Sequence, residues 1–209
     1  MSESLSKLSQ DVVSDVVSSL QVGGVVLLPT DTVLGLAVLP DRRASVQKLY
    51  ALKARPKSKA LPIMVANLKQ VEDLGIIVTP NVEKLLNSPL VPGGLTIVAR
   101  LNPQTSPKWL QDRSEIAFRI PNSDLLLNVL EKTGPALVTS ANLAGNKTPT
   151  TTPGVLSQLN GAPDLVVSGK ALTNAPSTLV NCSTTVVTVD RVGAIPIAEL
   201  SKWVEVQSG

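Results

Sequence analysis

The chain has 209 residues, of which 43% are hydrophobic, 17% charged and only 2% aromatic, with a formal net charge of +3. A chain of this length buries a substantial core, which must be aliphatic, and the mild charge suits anionic ligands without marking a dedicated nucleic-acid binder. It has no histidine and one cysteine, Cys182, which excludes a Ser-His-Asp triad, a Cys-His dyad, acid-base work by imidazole, an intrachain disulfide and a multi-cysteine zinc site.

Apolar residues at helical spacing over residues 5–20 (Leu8, Val12, Val13, Val16, Val17, Leu20) predict a first amphipathic helix. This N-terminal segment lacks the basic and apolar regions of a signal peptide, and no apolar run approaches the roughly 18 residues that span a bilayer. A cytoplasmic protein without membrane contact is expected. Residues 25–28 read as a buried strand that Pro29 ends, so Thr30, Asp31 and Thr32 stand at a strand end, and Gly35 permits a close backbone approach or a positive φ. Such a strand end is where an α/β sheet builds a ligand crevice, though an ordinary polar turn between two strands fits the segment equally.

Asp41 is the expected cap of a helix over residues 44–52, followed by a strand over 61–66, helices over 68–74 and 80–86, and strands over 95–101 and 116–120. Ser123 caps a predicted helix over 125–132. Residues 136–139 read as a buried strand ending in Ser140-Ala141-Asn142, and 154–159 as a short helix. Strands follow over 165–167, 178–181 and 185–189, and a helix over 196–206 closes the chain. The last strands are too closely spaced for helical crossovers, which predicts an α/β fold with a mixed, twisted open sheet flanked by helices.

Three stretches carry candidate chemistry. In KARPKSK, the cations Lys53, Arg55, Lys57 and Lys59 fall at every second position around Pro56, so an extended segment would turn them to one side of a concave basic cleft. A polyphosphate would relieve their repulsion, but a solvated charge run reads the same way. No Walker signature is present. In PALVTSANLAGNKTPTT a strand delivers Ser140 and Asn142 and a small-residue loop carries Thr148, residues that equally serve as turn caps. Ser177 at a strand start and Arg191 before a glycine are weaker signals.

Taken in series, LLPTDTVLGL, KARPKSKAL, PGGLTIV, IAFRIP, TSANLAGNKTPTT, APSTLV and RVGAI resemble the successive motifs of the YrdC-like family, whose members are threonylcarbamoyl-AMP synthases. The resemblance covers roughly residues 22–195 of a single domain over 1–209. It implies that L-threonine, bicarbonate and ATP give threonylcarbamoyl-AMP and pyrophosphate for the threonylcarbamoyladenosine modification of tRNA. Magnesium would be held mainly by phosphates, with no metal site made by the protein. Residue by residue, the resemblance puts Thr32, Arg119 and Ser177 around threonine, and Lys53 and Arg55 at the reacting groups. It puts Arg55, Lys59, Ser140, Asn142, Thr148 and Arg191 around ATP, with Thr96 a lesser candidate. Leu34 replaces the tyrosine of PTDTVYGL, Gly94 the second proline of PGP, and Met64 stands where some members place a threonine-contacting histidine. The chain resembles the short members, for which tRNA is reached directly or through a separate threonylcarbamoyl transferase complex.

Two other classes remain. A family paralogue could bind tRNA or double-stranded RNA without synthase activity, although only Trp109, Trp203, Tyr50 and Phe118 could stack bases. A carbamoyl-transfer domain, as in hydrogenase maturation proteins with a YrdC-like domain, is the other.

Overall fold

The computed structural model describes residues 2–110 and 112–207, with side-chain surroundings from Gln10 onward. Ten strands form one mixed sheet: β1 (Val26–Leu28), β2 (Gly35–Val38), β3 (Ile63–Met64), β4 (Leu95–Arg100), β5 (Glu115–Arg119), β6 (Ala136–Ser140), β7 (Leu165–Val166), β8 (Thr178–Asn181), β9 (Val187–Arg191) and β10 (Val206–Gln207). Their order is β10-β9-β8-β4-β5-β3-β6-β2-β1-β7. The helices are α1 (Ser2–Gln21), α2 (Arg43–Leu52), α3 (Leu68–Asp73), α4 (Pro80–Leu86), α5 (Asp124–Thr133), α6 (Thr152–Gln158) and α7 (Ile197–Leu200). None of the described helices is long and apolar enough to cross a membrane.

Alternation along the strands divides the core into two layers. Leu27, Leu36, Ile63, Leu137, Ile97 and Phe118 point to the face covered by α2, α4 and α6 through Leu49, Val82, Leu85 and Val155. Val26, Leu28, Ala37, Met64 and Val138 point to the opposite face, where Val13, Val16 and Leu20 of α1 pack with Leu126, Val129 and Leu130 of α5. Leu8, counted on the apolar face of α1, lies outside the described side chains. α1 and α5 cover this second face over β7, β1, β2, β6 and β3. Along β4, β5 and β8 the residues opposite in parity to the first layer, Thr96, Ala117, Arg119 and Leu179, are left to line a pocket. Cys182 belongs to the first layer, and burial pushes its thiol up to about 11, so it packs and does not react.

Several local expectations are corrected. β2 is not among the strands expected from the sequence: buried on both faces, it shows no polar alternation. The stretch after β1 is therefore a polar turn between two antiparallel strands, and also part of the pocket wall. Gly35 has no positive φ; it gives close approach, since a Cβ there would lie 3.1 Å from both Thr30 Cγ2 and Val138 Cγ1. Asp41 does not cap α2: the N-cap position falls on Arg42, which makes no side-chain cap bond. Ser123 does cap α5, accepting from Leu126 N–H at 3.5 Å. The closing helix stops at Leu200, and residues 206–207 pair in parallel with β9, satisfying backbone groups at that edge.

Candidate active site

The uncovered half of the second face forms a pocket of about 170 Å³. Strand pairing builds its floor. Met64 pairs with Arg119, Ile97 pairs with Phe118 and Thr96 with Leu179, so Met64, Arg119 and Thr96 lie side by side across neighbouring strands. The turn after β1 closes one wall. Thr30 Oγ1 donates to Val33 O at 2.7 Å, so in its 3.1 Å contact with Thr32 the Thr32 hydroxyl must be the donor. Thr32 Oγ1 in turn accepts from Arg119 Nη1 at 3.1 Å. Arg119 is further held by Nε to Gly93 O at 2.8 Å and by Nη2 to Asp31 at 2.6 Å. Burial pushes the Arg119 guanidinium down from its ordinary value, while Asp31 pulls it back up.

On the far wall, Ser177 Oγ lies 2.7 Å from Thr96 Oγ1, and Arg191 donates to Ser177 O through Nε at 3.2 Å and Nη2 at 2.8 Å. Burial lowers Arg191, and the nearby Arg119 and Arg55 lower it further, so the three guanidiniums share one electrostatic field. Seven of the expected residues line the pocket: Thr32, Arg55, Thr96, Arg119, Ser140, Ser177 and Arg191.

Lys53, Lys59, Asn142 and Thr148 are not among the lining residues, and the expectation of an extended basic segment is overturned. The backbone after α2 turns through Lys53 in the right-handed helical region and Ala54 at φ 45°. Ala54 N–H bonds Ala51 O at 3.0 Å and Arg55 N–H bonds Tyr50 O at 2.9 Å, which is a Schellman turn. A turn in place of a strand sends alternate cations in different directions. Lys53 goes inward and is 1% exposed. Its Nζ donates to Ser140 O, to Asn142 O at 2.9 Å and to Asn142 Oδ1 at 3.3 Å. Burial, then the neighbouring Arg55, lowers this ammonium to about 8. Arg55 goes to the pocket, tied by Nε to Lys59 O at 3.1 Å and by Nη2 to Ala60 O at 2.9 Å. Lys57 and Lys59 remain exposed to solvent.

Asn142 and Thr148 stand behind Ser140. Asn142 Oδ1 accepts from Ser140 Oγ at 2.6 Å and from Thr148 Oγ1 at 3.2 Å as well as from Lys53. Asn142 Nδ2 donates to Leu143 O and Asn146 O, so the Ser-Ala-Asn turn is a closed network. Residues to which the resemblance assigned no role also contribute: Thr30 and Thr139 line the pocket, and Asp31 pairs with Arg119. Asp31 stood in the opening motif, but no local signal tied it to a residue 88 positions away.

The mixed sheet and its helices define a protein of the α/β class, with three arginines lining one pocket on the uncovered sheet face. Over residues 18–193 the chain matches the model of the Sua5/YciO/YrdC family, described as telomere recombination, and it belongs to that family. It is 32% identical over 174 residues to a threonylcarbamoyl-AMP synthase of Bacillus subtilis, covering 82% of this chain and 50% of that one. A threonylcarbamoyl-AMP synthase of Yersinia enterocolitica is 34% identical over 139 residues, 64% of this chain and 72% of that one. The chain thus spans about half the length of the Bacillus relative. In fold it is similar to P. abyssi Sua5 crystallised with L-threonine (TM-score 0.82, 24% identity, 93% of this chain and 58% of that one). It is also similar to E. coli YciO (TM-score 0.80, 22% identity, 91% and 93%).

Proposed function

We propose that the chain is an L-threonylcarbamoyladenylate synthase, forming threonylcarbamoyl-AMP and pyrophosphate from L-threonine, bicarbonate and ATP. One observation carries this reading: the pocket holds an arginine already paired with a carboxylate beside three hydroxyls (Arg119 with Thr32, Thr96 and Ser177) and two arginines that line it without a carboxylate partner among the described residues (Arg55 and Arg191). The first set suits an amino acid with a hydroxyl; the second suits phosphates. The name shared by the relatives in B. subtilis and Y. enterocolitica supports this reading and not that of an RNA-binding paralogue without synthase activity.

The chemistry needs no protein nucleophile. Bicarbonate takes up a proton and loses water to give carbon dioxide, which threonine's neutral amine captures as a carbamate with loss of a proton. A carbamate oxygen then attacks the α-phosphate as pyrophosphate leaves, a step governed by alignment and charge neutralisation. Thr32, Arg119 and Ser177 hold the amino acid, and Thr96 fixes Ser177. Arg55, Arg191 and Ser140 face the nucleotide. Lys53, Asn142 and Thr148 shape the Ser-Ala-Asn turn from behind, and Lys59 offers the carbonyl that orients Arg55. The described pocket lining contains no carboxylate, so magnesium entering with ATP would be held by phosphate oxygens. The product would pass to tRNA in the cytoplasm, directly or through a separate transferase complex. Pyrophosphate release that requires both threonine and bicarbonate is the expected result; release independent of threonine would overturn the reading.

Amino-acid choice gives a finer check. Thr32 and Ser177 offer hydroxyls to the substrate, while Met64 and Leu34 add only apolar wall. A site that hydrogen-bonds a substrate hydroxyl rejects an isostere lacking it by up to about 10⁴ to 10⁵, whereas a missing methyl costs about 10-fold to 200-fold. Bicarbonate-dependent pyrophosphate release should therefore rank threonine, then serine, then valine. Valine equal to serine would place the hydroxyl elsewhere.

A further inference from the structure

We propose that Asp31 makes Arg119 a site for a carboxylate and not for phosphate, by fixing the guanidinium and cancelling its charge, so that the polyphosphate of ATP is left to Arg55 and Arg191. The inference rests on the synthase reading above and assigns Asp31 as a positioning and specificity residue that touches Arg119, not substrate.

Three arginines in one small pocket pose a discrimination problem. Each attracts a triphosphate, and Arg191 already senses both Arg119 and Arg55, so nothing in a bare guanidinium reserves one of them for an amino acid. Asp31 breaks the equivalence. Its Oδ1 accepts from Arg119 Nη2 at 2.6 Å, and its Oδ2 is fixed by the backbone N–H of Asn122 at 3.0 Å. The Arg119 and Asp31 side chains are 4% and 8% exposed, so the pair is little screened by salt or water. Among the described residues, no carboxylate pairs with Arg55 or Arg191.

Position follows from the same contacts. A guanidinium has five N–H groups, and three of those on Arg119 are committed, to Gly93 O, Thr32 Oγ1 and Asp31. The plane is thereby set and the remaining N–H groups are offered to a ligand. The pair carries no net formal charge. A carboxylate needs only these oriented donors to bind. Pyrophosphate or the tail of ATP, carrying several negative charges, meets the Asp31 carboxylate at close range and gains more at Arg55 and Arg191.

The test uses the full chain and calorimetric titration with L-threonine, ATP and inorganic pyrophosphate, each alone, then threonine in the presence of pyrophosphate. In the unaltered protein threonine affinity should be unchanged by pyrophosphate. In Asp31→Asn, which keeps the volume and one oxygen, threonine should bind at least about tenfold more weakly, the scale of one charge-assisted bond. Pyrophosphate should now compete with threonine, and ATP affinity should stay within about threefold. Acquired competition is a gain that loss of structure does not produce. No acquired competition in folded Asp31→Asn would overturn the inference, as would displacement of threonine by pyrophosphate from the unaltered protein, which decides the matter should the variant not fold. Failure of the unaltered protein to bind threonine at all would instead sink the synthase reading.

Discussion

Replacing Lys53 with methionine is expected to reduce threonine- and bicarbonate-dependent pyrophosphate release by about 100-fold or more, although Lys53 does not line the pocket. The ammonium donates to Ser140 O, Asn142 O and Asn142 Oδ1, and its own carbonyl accepts from Ala144 N–H at 2.8 Å. Methionine keeps the apolar stem but removes that donor from three oxygens. Ser140 O still accepts from Asn142 N–H and Asn142 Oδ1 from Ser140 and Thr148, so the full loss of about 1 to 3 kcal/mol falls on Asn142 O if water does not replace the donor. The relief of a buried charge offsets part of that cost, so stability should fall less than activity. A displacement of about 1 Å in Ser140 suffices for a rate loss near 100-fold. Pyrophosphate release and thermal unfolding of the same preparation check this, and near-normal turnover would show that the Ser-Ala-Asn turn holds itself.

The same lysine sets an opposite dependence of activity and stability on pH. Its folded value of about 8 lies below the ordinary lysine value of 10.5. Between these two the unfolded chain binds more protons than the folded one, so unfolding free energy rises with pH, by up to about 1.4 kcal/mol per pH unit. Below pH 8 both states carry the proton and the slope vanishes. Activity should run the other way, because a neutral amine has two N–H donors for three oxygens and loosens the turn above pH 8. Denaturant unfolding between about pH 8 and 9, below the range in which the raised Cys182 thiol acts in the opposite sense, should show the rise in the native protein and not in Lys53→Met.

Gly193→Ala is expected to damage the opposite wall as severely. An added Cβ would lie 2.1 Å from Pro176 O and 2.6 Å from Ser177 C and O. Those are backbone atoms, so no side-chain rotation relieves the overlap. The chain must part, breaking Ala194 N–H to Pro176 O at 2.8 Å or Gly193 N–H to Thr178 Oγ1 at 2.9 Å, and Ser177 moves with it. Overpacking of this kind costs about 1 to 3 kcal/mol, a fall in Tm of roughly 2 to 12 °C for a chain of this size. Threonine KM should rise more than that of ATP, because Ser177 lies beside Thr96 at the end of the pocket proposed for threonine. An unchanged Tm would mean that the close approach is not maintained in solution.

Elements with their own punctuation were legible in the sequence. Pro80 and Thr79 begin α4, Ser123 begins α5, and Asn67 caps α3, each by a contact within three residues. β2 escaped because Gly35–Val38 is buried on both faces, and the helix over 196–206 was overextended because the parallel partner of residues 206–207 is distant in sequence. Among the candidate residues, Thr32, Arg55, Thr96, Arg119, Ser140, Ser177 and Arg191 meet in one pocket. Lys53 and Lys59 do not line it, because a left-handed Ala54 and a turn at residues 56–59 replace the extended backbone that alternate spacing presupposed. Asn142 and Thr148 do not, because their side chains bond within the turn behind Ser140.

By itself the sequence determined the residue types available: no histidine, hydroxyls and arginines in fixed order along the chain, and enough aliphatic alternation for a mixed sheet. These are local properties, set by side-chain chemistry and by periods of 2 and 3.6 residues. Only the tertiary structure decided that α1 and α5 cover half of one sheet face, which turns Thr96, Arg119 and Leu179 from core positions into pocket floor. It also decided which cation carries a partner. Arg119 faces Asp31 because β5 ends opposite the turn after β1, while Arg55 and Arg191 arrive from other edges of the pocket with no carboxylate beside them among the described residues. Charge compensation depends on distance in space, and no spacing along the chain encodes it.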